Sequence, residues 1–306
     1  MEIEIVGEGF LFPEGPIALP DGSVVFVEIL RGTLTRLWGD GKSEIVADLG
    51  GGPNGAALGP DGAVYVCNNG GFQWRRGPDG EVILIGHTPG DYEGGRIERV
   101  DLATGAFERL YTHCGEQMLR GPNDIVFDRE GGFWFTDLGK NDAQRRDVSR
   151  LFYATPDGRR IDQAIDDALS FNGVGLSPDE RTLYVADTRS ARLWAFDLAG
   201  PGQLKHRAER FGAGRLLATI PGDVWVDSLA VTEAGNVCLA TLANGGISTV
   251  TPQGAISHTP MPDPYTTNIC FGGPDRRTAY ITLAATGRIA RVRWPEPGLA
   301  LNFNPY

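Results

Sequence analysis

Short apolar runs alternate with polar turns along this chain, and one such pattern returns six times. The segments are EGPIALPDGSVVFVE (14–28), NGAALGPDGAVYVCN (54–68), NDIVFDREGGFWFTD (123–137), NGVGLSPDERTLYVAD (172–187), DSLAVTEAGNVCLAT (227–241) and NICFGGPDRRTAYIT (268–282). Each opens on a polar anchor, runs through apolar residues into a turn and ends in an alternating run, the signature of a β-hairpin. The anchors are Glu14, Asn54, Asn123, Asn172, Asp227 and Asn268. In four copies the turn is Pro-Asp, at Asp21, Asp61, Asp179 and Asp275. There Pro presets φ and Asp bonds the backbone ahead of it. A second polar position closes each hairpin: Glu28, Asn68, Asp137, Asp187, Thr241 and Thr282.

The anchors lie 40, 69, 49, 55 and 41 residues apart, and the shorter intervals match one four-stranded propeller blade. Third and fourth strands are found in the gaps, as in TLTRLWGDG followed by KSEIVADL. Only GRIARVRW follows the sixth hairpin, whereas MEIEIVGEG stands unassigned before the first. The N-terminal strand is therefore expected to complete the last blade and close the ring, which leaves only short, protected edges. The reading is an all-β, six-bladed β-propeller with four-stranded blades, residues 1–306 forming one domain. The long second interval carries an insertion, 70–93, with Phe72, Trp74 and Tyr92. It reads either as an ordered active-site lid or as a decorated outer edge.

Composition narrows the partners. The net charge of −11 argues against nucleic acid and against an anionic membrane surface, and no apolar run reaches the length of a membrane span. The beginning, MEIEIVGEGF, lacks the basic and apolar regions of a signal peptide, so a cytoplasmic location is expected. Cys67, Cys114, Cys238 and Cys270 are far apart with no CxxC spacing, and read as reduced thiols rather than as a disulfide framework or zinc site.

In a propeller the first strand of each blade lines the central channel, so the six anchors should form one ring of two carboxylates and four amides. Asn and Asp also favour loop-to-strand junctions for purely local reasons. Six oxygen-bearing anchors in one register favour the ring. Two carboxylates in a partly buried channel repel, and a divalent cation on an all-oxygen shell would relieve this. Hard donors suit Ca²⁺ first, with Mg²⁺, Mn²⁺ and Zn²⁺ as alternatives. His87, His113, His206 and His258 all fall outside the anchors, and no GxSxG occurs. A Ser-His-Asp mechanism is thus weakly supported, and metal-assisted chemistry is left.

The segments FPEGP with Glu14, RGPNDIVFD with Asn123, FNGVGLSPDE with Asn172 and VDSLAV with Asp227 resemble the SMP-30/gluconolactonase/luciferin-regenerating enzyme family. The resemblance runs in order over essentially the whole chain. It implies a six-bladed propeller with one catalytic divalent metal, held by Glu14, Asn172 and Asp227. Asn123 would be a fourth ligand or a substrate contact. It further implies hydrolysis of a small-molecule sugar lactone. Asp227 is then the candidate base, since a carboxylate beside the metal can also reach a bound water, and Asn123, with Asn54 and Asn268, would orient the ring hydroxyls. Trp74, Arg75 and Tyr92 would close over the substrate. Animal-type sugar lactonases carry an Arg two residues before the Asn that Asn123 resembles, whereas here Arg120 lies three before it. The rival readings are a phosphotriester hydrolase using the same site, a structural Ca²⁺ without turnover, and a non-catalytic interaction platform.

Overall fold

In all six repeats the hairpin supplies the two innermost strands of an antiparallel sheet, one sheet per blade; five of the sheets have four strands, and that of blade four has a fifth, the short Gln203–Leu204. The computed structural model describes residues 1–77, 82–84, 86–205 and 214–304. Blade one runs outward through Pro13–Ala18, Val24–Glu28, Thr33–Leu37 and Ser43–Asp48. Blade two begins at Pro53–Leu58, blade three at Pro122–Phe127, blade four at Phe171–Leu176 and blade five at Trp225–Val231. Blade six begins at Thr266–Gly272 and continues through Thr278–Leu283 to Arg288–Arg293. Its outermost strand is Ile3–Glu8, paired antiparallel with Arg288–Arg293, so the N-terminal strand closes the ring as expected. Among the described residues no helix is long and apolar enough to cross a membrane.

The turn chemistry predicted from Pro-Asp is present. Asp21, Asp61, Asp179 and Asp275 each accept the backbone N–H two residues on, at 3.0, 3.2, 3.1 and 3.1 Å. The second polar position has a structural task. Asp137 accepts N–H groups from Arg120, Gly121 and Gly139 at 2.7, 2.6 and 2.9 Å. Asn68 Oδ1 likewise accepts from Gly52 and Gly70. Glu28 accepts from the Leu11 N–H and the Thr35 hydroxyl. These side chains tie the loop that enters each inner strand to the loop that leaves its partner, which satisfies buried backbone donors.

The core lies between blades. Six apolar clusters fill the six blade–blade interfaces. The strand Phe133–Asp137 shows why the apolar runs are nearly continuous. Phe133 and Phe135 face the blade-two side, and Phe135 stacks on Phe152 at 5.0 Å. Trp134 faces blade four and meets Tyr153 edge-on at 5.1 Å. A strand buried on both faces needs no polar alternation. The four thiols are free, with Cys67 and Cys238 buried and Cys114 and Cys270 partly so. Burial pushes the Cys238 and Cys270 thiols up to about 12.

Deleting residues 1–8 removes the closing strand and bares the backbone of Arg288–Arg293. Thermal unfolding should show a Tm lowered by about 5 °C or more; an unchanged Tm would mean that the ring does not depend on this strand.

Candidate metal centre and active-site cavity

Each anchor sits near the start of its blade's innermost strand, and all six are more than nine-tenths buried. In every blade the pairing of this strand with the next slips register at or beside the anchor. The slips fall between Glu14 and Ile17, Pro53 and Ala56, Pro122 and Ile125, Phe171 and Val174, Val226 and Leu229, and Thr266 and Asn268. Such bulges turn a side chain out of the ladder and re-aim it. The residue after the anchor is Gly in three blades, for a steric reason. A Cβ on Gly15, which sits at φ +51°, would stand 2.5 Å from the Asn54 carbonyl oxygen, and one on Gly173 would stand 2.7 Å from that of Asp227. Without a side chain there, adjacent inner strands can approach closely around the axis.

Five anchors, Glu14, Asn54, Asn123, Asn172 and Asp227, line one cavity of about 360 Å³ at one end of the channel. Blade six presents Thr267 there instead of its anchor. Asn268 lines a second cavity of about 180 Å³ at the opposite end, with the C-terminal residues Leu299 to Asn304 along its wall. Its side chain donates to Glu14 Oε2 at 2.9 Å, and its Oδ1 accepts from the Ile269 N–H at 2.8 Å. Asn268 therefore orients Glu14 and does not face the larger cavity. The Gly15 N–H also falls on Glu14 Oε2, at 2.7 Å, which leaves Oε1 available. The Asn123 Oδ1 is buried without a hydrogen-bond partner.

A third carboxylate, Asp124, was missed by the anchor pattern because it is the residue after an anchor. It is buried and accepts N–H groups from Ile125 at 2.9 Å and Val174 at 3.2 Å, one on each oxygen. It faces the second cavity. Burial raises its carboxyl to about 7. Asp227 is also raised to about 7, first by burial and then by the charge of Asp124, while the Asn172 side chain and the Ser228 N–H pull the other way. Glu14 is pushed well above the usual carboxylate range by burial, then by Asp227, against the hydrogen bonds from Asn268 and Gly15. No Lys or Arg acts on Glu14 or Asp227 to relieve this.

No three His, Cys, Asp or Glu side chains cluster as a metal site among the described residues. With both Asp124 oxygens engaged, a cation here would rest on two carboxylates and on amide oxygens. Glu14 and Asp227, Asn172 beside Asp227 and the orphaned Asn123 Oδ1 make a donor set that fits a hard divalent ion.

The rim comes from loops. Phe72, Leu84 and Gly86 of the insertion line the cavity, as do Phe12, Trp225 and Tyr265. Trp74 does not line it; its ring packs edge-on against Phe12 and Phe72 at 5.1 and 6.3 Å. Tyr92 and Arg120 also lie outside the lining. The Tyr92 hydroxyl donates to the Arg120 carbonyl at 2.5 Å, and the Arg120 guanidinium pairs with Asp147 at 2.8 Å. Arg75 is exposed, and residues 78–81 and 85 of the insertion lie outside the described residues. None of His87, His113 and His258 lines the cavity, and His206 lies outside the described residues.

Three cationic rim residues were also missed: Lys140, Arg146 and Arg189. Lys140 and Arg189 follow the second polar position by three and two residues, at Asp137 and Asp187. That offset from a repeated position was the available signal. Lys140 is buried, donates from Nζ to Asn69 Oδ1 at 3.1 Å and to the Gly71 carbonyl at 2.5 Å, and lies 4.2 Å above the Phe72 ring. Burial lowers its ammonium to about 7.

A six-bladed propeller with an oxygen-lined axial cavity is the class that fold and site define. Residues 12–285 match the model of the SMP-30/Gluconolactonase/LRE-like region, and the chain belongs to that family. It is 26% identical to a gluconolactonase of Zymomonas mobilis over 95% of this chain and 81% of that protein. It is 25% identical to lactonase drp35 of Staphylococcus saprophyticus over 76% of this chain, and the match spans 64% of that relative, less than two thirds of its length. Among solved structures, a gluconolactonase from Xanthomonas campestris superposes with a TM-score of 0.74 at 22% identity, covering 96% of this chain and 89% of that one. A calcium-binding regucalcin from Agrobacterium tumefaciens gives 0.69 at 18% identity, covering 97% of each chain. At these identities the structural likenesses show the fold.

The raised carboxylates set a pH dependence for metal-free protein. A carboxyl raised in the folded state contributes stability that is fully present below the unfolded value of about 4 and is gone above about 7. Chelator-treated protein should therefore lose on the order of a few kcal/mol between pH 5 and 8. Ca²⁺ should restore more at pH 8 than at pH 5, because it competes with protons. Denaturation across this range checks it; a flat profile without metal would contradict the carboxylate assignment.

Proposed function

We propose that this protein is a divalent-metal-dependent hydrolase that opens the ester ring of a sugar lactone. The observation that carries this reading is the pairing of Glu14 and Asp227. They are buried on one cavity floor, the charge of Asp227 raises Glu14, and the nearby Asp124 charge raises both. The relatives named gluconolactonase and lactonase support an ester as the substrate, and the calcium-binding regucalcin supports Ca²⁺ as the ion. Glu14, Asn172 and Asp227 would hold the cation, with Asn123 as fourth ligand or substrate contact. A divalent ion in that place supplies Lewis-acid polarisation of the ester carbonyl and a more acidic water.

The chain's own groups account for the rest. Asp227, a carboxylate placed to sit beside the cation, can also reach a bound water and take its proton. It removes the proton of the attacking water as the new C–O bond forms. It then returns that proton to the ring oxygen as the acyl–oxygen bond breaks, giving a hydroxy acid. Asn268 and the Gly15 N–H fix Glu14. Asn54 and Asn123 present amides to the ring hydroxyls. Phe12, Trp225 and Tyr265 provide apolar wall against the sugar face and restrict water.

Two outcomes are expected in an assay over aldonolactones and a fluorophosphate. Chelation should abolish lactone hydrolysis and Ca²⁺ should restore it, with the fluorophosphate a poor substrate. Asp227→Asn should lower kcat by about 10²- to 10⁴-fold while the Tm holds. Full turnover in that variant with metal still bound would remove Asp227 from the mechanism, and a preferred fluorophosphate would favour a phosphotriesterase.

A further inference from the structure

The cavity floor is acidic, but its rim is not. Arg146 and Arg189 both line the cavity that Glu14 and Asp227 floor. They come from equivalent loops of neighbouring blades, Arg146 before Ser149–Ala154 and Arg189 before Arg192–Gly200. Neither guanidinium has a carboxylate partner among the described residues, although nearby Arg120 is paired with Asp147. Burial and then the charge of Arg146 hold Arg189 below the usual arginine value. The Arg189 guanidinium lies 4.9 Å over the ring of Trp225, another lining residue, and this stacking fixes where its plane faces.

The fold thus brings two permanent cations to one cavity mouth, and no carboxylate of the described residues pairs with either. In a chain of net charge −11 this is not a background of surplus base. Lys140 lines the same wall, with its Nζ on the Asn69 Oδ1 and the Gly71 carbonyl. Glu14 and Asp227 are the two carboxylates that line this cavity, and a divalent ion held between them would offset their charge and leave the guanidiniums at the mouth uncompensated. Paired guanidiniums are the groups that read planar or tetrahedral oxyanions through forked N–H donors.

We propose that the preferred lactone carries an oxyanion group, carboxylate or phosphate, on the end remote from its ring ester, and that Arg146 and Arg189 bind it. This rests on the lactonase reading of the cavity floor. The two arginines are then specificity-determining residues: they orient the substrate so that its ester faces Asp227.

The test compares gluconolactone, glucarolactone and 6-phosphogluconolactone of equal ring size, which differ at C6 alone. An anionic substrate should be favoured by about 10- to 100-fold in kcat/KM, and which of the two wins identifies the group. In the Arg146→Gln/Arg189→Gln double variant the ratio of anionic to neutral kcat/KM should fall towards one, and in the wild type it should shrink as salt rises. A neutral lactone used as well as both anionic ones, or a ratio untouched by the double variant, overturns the proposal. Calorimetric binding of glucarolactone to chelator-treated protein gives a readout independent of turnover, and it should weaken in the double variant. Arginine-dependent binding without hydrolysis of any lactone would sink the lactonase reading alone. Hydrolysis without an anionic preference would sink this inference alone.

Discussion

Burying one carboxylate against another away from water is unfavourable unless something positive sits between them, and this molecule does so at its centre. Glu14 and Asp227 reach the channel from blades one and five, with Asp124 beneath them from blade three. The surrounding structure holds these groups in place. Asn268 spends its amide on Glu14, and the backbone of Ile125 and Val174 occupies Asp124. Glu14 and Asp227 are left without a cationic partner among the described residues, and on the proposed reading an ion of charge two would sit between them.

That arrangement depends on the ring. A bulge at each anchor re-aims one side chain per blade, and glycines such as Gly55 and Gly173 let the inner strands come close enough for those side chains to meet. The second polar position serves the same end from further out. By binding the N–H groups of Arg120, Gly121 and Gly139, Asp137 holds the entry to one inner strand against the exit of its neighbour. Closure by Ile3–Glu8 then fixes the circumference. The centre is precise because every blade is constrained at both ends of its first hairpin.

Floor and rim obey different rules. The floor is built by repetition, so its residues share a register and a chemistry. The rim is built from loops that differ in length and content, including the described part of 70–93, and there the charge reverses at Lys140, Arg146 and Arg189. An acidic floor suits a cation, and a basic rim suits an anion. On the proposed reading, the two together would discriminate at both ends of a small molecule.

The repeat by itself determined the blade count, the strand order within each blade, the closing role of the N-terminal strand and the six anchors, because hairpins with a fixed period can bury their faces in few ways. It could not tell that Asn268 turns from the larger cavity to hold Glu14, nor that Asp124 adds a third buried charge, since both depend on where a bulge points a side chain. Arg120 is a candidate through the family resemblance, and Trp74 and Tyr92 through the insertion that carries them, yet Asp147, Phe12 and the Arg120 carbonyl engage them instead. Arg146 and Arg189 lie in equivalent loops of unequal length, and although Arg189 keeps a short offset from Asp187, nothing along the chain marked the two as neighbours. Periodic positions are readable from sequence because one rule sets them all, whereas contacts between unrelated loops exist only once the ring has closed and brought their ends to one axis.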